Sequence, residues 1–89
     1  MDQDEFASRL RRDGFQEVTT VAREAGSMGE HAHPFEAEAL ILEGELQIRT
    51  ADEERSYKAG DVFHLQPGVR HSETYGPQGV KYLVGRKTT

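Results

Sequence analysis

Beyond residue 14, glycine or proline breaks the chain too often for a helix to establish itself. Between the breaks lie short segments rich in β-branched or alternating apolar residues: "QEVTTVARE", "ALILEGELQIRT", "DVFHLQ", "HSETY" and "VKYLV". Alternation with period two places successive side chains on opposite faces of a strand, and short strands between Gly or Pro turns define an all-β sandwich or barrel. The pattern predicts a first strand ended by Ala25-Gly26-Ser27 and Gly29. A hairpin follows, turning at Glu43-Gly44, then a charged loop at "ADEERS" and turns at "YKAGD", "PGVR" and "GPQG".

Residues 2–12 are the one helical candidate: Phe6 and Leu10 form a short apolar stripe that Gly14 ends. Such a stripe serves either as a lid over one sheet or as a helix that docks on a partner, and the lid is the simpler reading. The expected organisation is a short helix or arm over 1–14 and a single barrel domain over 15–89.

With 89 residues, 35% hydrophobic and 30% charged, the chain suits one small globular domain with a limited core. A net charge of −5 with scattered basic residues offers no footprint for nucleic acid or an anionic membrane. Cysteine is absent, so neither disulfides nor thiolate metal sites contribute, and a reducing cytoplasm suits the chain. The acidic start "MDQDEF" is unlike a secretory signal, and no apolar run approaches the roughly 20 residues that span a bilayer.

The chemistry concentrates in histidine. On a strand, His31 and His33 project to one face, about 7 Å apart along the chain, and two neutral imidazoles so placed can reach one metal ion. An HxH pair alone is equally compatible with an exposed strand edge. His71 follows a Gly-Asp turn, a strand and the "PGVR" turn, and offers a third imidazole. His64 alternates with Gln66 rather than with Phe63 and Leu65, so it either lines a pocket or, as is commoner for such a histidine, faces solvent or an interface.

With "HAHPFEAEALILEG" followed by "GDVFHLQPGVRHSETY", the chain resembles the cupins over about residues 26–76. The resemblance implies a double-stranded β-helix, or jelly-roll, barrel with His31, His33 and His71 as metal ligands. It departs from the family pattern at the motif glutamate, whose position holds Ala37, with Glu36 and Glu38 on either side. Ala37, Ala39 and Ile41 share one face of their strand, and Glu38, Leu40 and Leu42 share the other. If the inward face is the alanine face, Glu38 points away, while a bulge reverses this. Gln66 and Tyr75 replace a motif proline and a closing asparagine.

Glu73 lies two residues beyond His71, on the same face. It can orient a ligand imidazole, ligate directly, or form a cross-strand ion pair at the barrel mouth. Three neutral imidazoles suit Fe, Mn, Ni, Zn or Cu and leave positions open for a substrate. The small side chains at 37 and 39 are expected to widen a pocket bounded by Phe63 or Tyr75.

Three functions fit. One is a metal-dependent oxygenase, isomerase or lyase acting on a small anionic or chelating metabolite, with Glu73 and Tyr75 handling protons. Another is a ligand-binding or sensing module without turnover, and the third a metal-free structural barrel. Leu40 and Leu42 on the outward face further suggest a homodimer.

Overall fold

Asp2 begins the helix. Its side chain accepts a hydrogen bond from the Glu5 N–H at 2.8 Å, capping α1 (Gln3–Arg12). Asp4 and Glu5 in the first turn, with Arg9, Arg11 and Arg12 in the last, complement the helix dipole. Gly14, at φ +89°, then reverses the chain so that the Phe15 N–H reaches the Leu10 carbonyl at 3.0 Å.

The computed structural model describes residues 2–88, so the outermost residues of the two expected segments, 1 and 89, lie outside it. Six antiparallel strands follow α1: β1 (Glu17–Arg23), β2 (Gly26–His31), β3 (Glu36–Arg49), β4 (Glu54–Lys58), β5 (Val62–Leu65) and β6 (His71–Lys87). The architecture is an all-β jelly roll with one N-terminal helix. β3 and β6 pair along nearly their whole length and each serves both layers. One layer runs β1-β6-β3-β5, using residues 36–40 of β3 and 80–86 of β6. The other runs β2-β6-β3-β4, using residues 45–49 of β3 and 71–75 of β6.

This topology corrects the expected hairpin at Glu43-Gly44 and the expected turn at "GPQG". Both β3 and β6 continue through those glycines, with register shifts between Ile41 and Glu43 and between Gly44 and Leu46. Gly44 (φ +80°) and Gly79 (φ +77°) meet at this corner, where a Cβ on Gly44 would lie 2.1 Å from the Gly79 carbonyl oxygen. Here the positive φ marks bulges that bend two paired strands from one layer to the other. Two strands also replace expected connections. Gly26–His31 forms β2 because β6 supplies its ladder, and Glu54–Lys58, drawn partly from the charged loop, pairs with β3 as β4.

The interior holds Ala37, Ala39, Ile41, Leu46, Phe63 and Tyr82, among others, so the alanine face of β3 does point inward. On the outside, Phe6 and Leu10 pack against Phe15, Leu40 and Leu83. The helix is therefore a lid. Leu40, expected to offer apolar area to a second copy, is already covered by it, with Leu42 packed against the same cluster. Glu38, on this outer face, receives a 2.7 Å hydrogen bond from the Arg9 guanidinium. Among the described residues no helix is long and apolar enough to cross a membrane.

Candidate metal centre

β2 ends where β6 begins, with His31 directly opposite His71. His33 lies two residues past the end of β2, in the connection to β3. It is held there by its own carbonyl, which accepts the Gly68 N–H at 2.8 Å and ties the HxH segment to the "PGVR" turn. The three imidazoles converge, with ring centroids 4.2 Å (His31–His71), 4.9 Å (His31–His33) and 5.4 Å (His33–His71) apart. One ring nitrogen from each can be chosen so that all lie within 4.8 Å of one another.

Backbone carbonyls fix how two of these rings are used. His31 Nδ1 lies 2.7 Å from the Gly29 carbonyl, and His71 Nδ1 3.0 Å from that of Val69. A carbonyl can only accept, so each Nδ1 carries a proton, and in the neutral form of each ring it is Nε2 that offers the lone pair. Both Nε2 atoms are buried and have no hydrogen-bond partner. The Glu73 carboxylate Oε2 stands 3.2 Å from His31 Nε2 and 3.3 Å from His71 Nε2. Those separations fit a shared ion, because ligands at right-angled or tetrahedral positions with bonds of about 2.1 Å lie about 3.0–3.4 Å apart. A buried orphaned lone pair is costly, and two of them beside a carboxylate form a site chemically suited to a cation.

Around this nest the remaining groups fall into place. Burial first, then the neighbouring His31 and His71, hold the His33 pKa below its ordinary value and favour the neutral ring. His33 stacks on Phe35 at 4.7 Å. The Tyr75 hydroxyl donates to Glu73 Oε1 at 3.3 Å; burial, and then the Glu73 charge, push its pKa up to about 12, so it stays a phenol. A small cavity of about 40 Å³ opens beside the histidines, bounded by His33, His71, Glu73, Phe35, Phe63 and Arg86. Ala37 also faces it, so the position that holds a glutamate in the family motif leaves space here rather than a ligand. Two roomier depressions, one of about 540 Å³ near Arg23, Glu43 and Lys81 and one of about 460 Å³ near Glu45, Tyr57 and Thr74, have no histidine in their lining and carry no comparable chemistry.

The two glutamates of the HxH segment are turned elsewhere. Glu36 pairs with exposed His64, and Glu38 with Arg9 on the helix side. The carboxylate that joins the histidines is Glu73. Sequence reasoning overlooked Arg86, although it continues in phase the inward row Tyr82, Val84 and so was open to the alternation argument.

A family model described as "Cupin domain" matches residues 17–82. The chain is a member of the cupin family. Solved structures agree on the fold. A cupin-2 domain containing protein from Shewanella frigidimarina superposes with a TM-score of 0.67 at 23% identity, over 81% of this chain and 69% of that one. A DUF861 family protein from Thermotoga maritima gives 0.69 at 17% identity, over 86% of each chain. The EutQ protein of Clostridium difficile gives 0.71 at 10% identity, over 80% of this cupin and 55% of that chain. No curated protein matches the sequence. At these identities the likeness extends to the barrel and no further, so the chemistry of this cupin rests on its own side chains.

Proposed function

We propose that this cupin binds one divalent transition-metal ion through His31, His33, His71 and Glu73 and uses it to act on a small metabolite. The observation that carries the reading is the pair of buried Nε2 atoms without a hydrogen-bond partner, each within 3.3 Å of the Glu73 carboxylate. Three imidazoles and one carboxylate suit Fe, Mn, Ni, Zn or Cu. A bound ion would supply Lewis acidity to a donor oxygen of the substrate, the chemistry common to oxygenase, isomerase and lyase reactions. The chain's own residues do the rest. Phe63, Leu65 and Val84 give the cavity an apolar lining. Tyr75, protonated at neutral pH, donates to Glu73 and holds that carboxylate in place.

Elemental analysis of untagged protein, before and after incubation with each metal, tests the reading. One ion per chain is expected in the wild type, and loss of that ion in His31→Ala and His71→Ala variants that still fold. A wild type that stays metal-free after every incubation would leave a structural barrel. Oxygen uptake and product analysis with small diketones, thiols and hydroxy acids then separate an enzyme from a metal-bearing sensor, which binds such ligands without converting them.

A further inference from the structure

We propose that Arg86 is the anion anchor of this site, so that the molecule bound beside the metal carries a carboxylate. The inference rests on the metal reading above and deepens it. Arg86 sits near the end of β6 on its inward row and lines the same cavity as His33, His71 and Glu73. Its guanidinium stands 5.1 Å from the centre of the Phe35 ring, the ring on which His33 stacks, so aromatic packing fixes both the cation and the imidazole on one support.

The fork is largely unspent. Its one side-chain hydrogen bond among the described residues runs from Nη1 to Glu17 Oε1 at 3.3 Å, to a carboxylate that is 60% exposed. An ion pair so open to solvent contributes little, and a guanidinium has five N–H groups to offer. A ligand carboxylate arriving from the cavity can take the remaining donors in a bidentate pair.

Charge points the same way. A divalent ion held by three neutral imidazoles and one carboxylate keeps a net single positive charge, and Arg86 adds another. With an ion bound, the pocket would be cationic within a chain whose net charge is −5, since exposed Glu17 offsets Arg86 only in part. Size narrows the class further: a cavity of about 40 Å³ has room for about three water-sized atoms. That accommodates the three heavy atoms of a carboxylate, with the rest of the molecule emerging at the mouth. The ligand class is therefore a small carboxylic acid whose carboxylate meets Arg86 while a neighbouring oxygen or sulfur turns toward the histidines.

Glycolate titrated into the cobalt-loaded protein tests this, with the metal content of every variant measured first and binding followed through the cobalt absorption spectrum. The expected result is a loss of glycolate affinity in Arg86→Gln of about ten- to a hundredfold at equal cobalt content, the range of a charge-assisted hydrogen-bond pair. Arg86→Lys falls between the two, because it keeps the charge without the fork. Glycolamide, of the same shape but uncharged, binds the wild type and Arg86→Gln alike. Equal glycolate affinity in wild type and Arg86→Gln overturns the proposal.

If the wild type takes up no cobalt, the metal reading fails separately. The anchor is then read in the metal-free protein from the glycolate-induced shift of the Arg86 guanidinium NMR signal. A shift that glycolamide does not produce supports the anchor, and no shift at millimolar glycolate overturns it.

Discussion

Gly44 distinguishes two physical roles for a glycine, and exchanging it for asparagine tells them apart. In a two-residue hairpin turn asparagine is among the favoured residues, since it tolerates positive φ. At the β3–β6 corner tolerance of φ is not enough, because any Cβ meets backbone: Gly79 O at 2.1 Å, Gly79 C at 2.9 Å and Val80 Cα at 3.0 Å. None of these atoms can rotate aside, so the paired strands must separate by about an ångström to restore ordinary contact. Losing two flanking ladder hydrogen bonds costs about 1 kcal/mol each, and the strain of overpacking adds up to about 3 kcal/mol. The total, about 2–5 kcal/mol, is large for a domain of this size and lowers Tm by about 8–40 °C. Gly60 provides the control: it also has positive φ (+94°), but nothing lies within 4 Å of its Cβ position. Gly60→Asn should stay within about 4 °C of wild type, a shift of less than about 1 kcal/mol. Thermal melts followed by circular dichroism compare the two. Gly44→Asn and Gly60→Asn melting together would refute the close-approach argument.

Other perturbations test the lid and the centre. Leu10 is fully buried under α1 on the side of the sheet opposite the histidines. Leu10→Ala should therefore lose about 2–5 kcal/mol in denaturant unfolding yet bind the same metal per folded chain; reduced binding would show that the two faces are coupled. Glu73→Gln keeps the shape but removes the charge 3.2–3.3 Å from two imidazoles. Competition with a chromophoric chelator should show metal affinity lower by about ten- to a hundredfold or more, and an unchanged value would take Glu73 out of the ligand set. In the metal-free protein His33 titrates below the 6.5 of the unfolded chain. The unfolded state thus binds more protons in that interval, and stability falls as pH drops from 6.5 through the folded value. Melting temperatures should fall on acidification, less steeply in His33→Ala; equal slopes would contradict the assignment.

Much of this was readable from the sequence, because alternation is a local property. That Ala37 and Glu38 lie on opposite faces of β3 follows from parity, while the inward turn of the alanine face and the joining of His71 to His31 and His33 follow from the resemblance to the cupins. The path of the long strands does not. A glycine with positive φ looks the same in sequence whether it closes a hairpin or bends a strand, and only the partner strand decides between them. For the same reason the sequence pattern places connections where β2 and β4 form: their residues have weak strand preference, and their order comes from the ladders that β6 and β3 offer. Glu73 outranked Glu36 and Glu38 through three-dimensional placement, since those two met His64 and Arg9 on the outside.

Fully extended, the sixteen residues from His71 to Arg86 would reach about 50 Å. The molecule measures 32 Å along its longest axis, and both residues border a single cavity. The bend at Gly79 makes one strand curl until its beginning faces its end. An ion gripped at His71 and a carboxylate gripped at Arg86 would then close that strand like a buckle, joining the two ends through the ligand rather than through the backbone. Occupancy would be felt along the whole strap. Amide exchange should slow throughout β6, including around Gly79, where neither ion nor ligand makes contact.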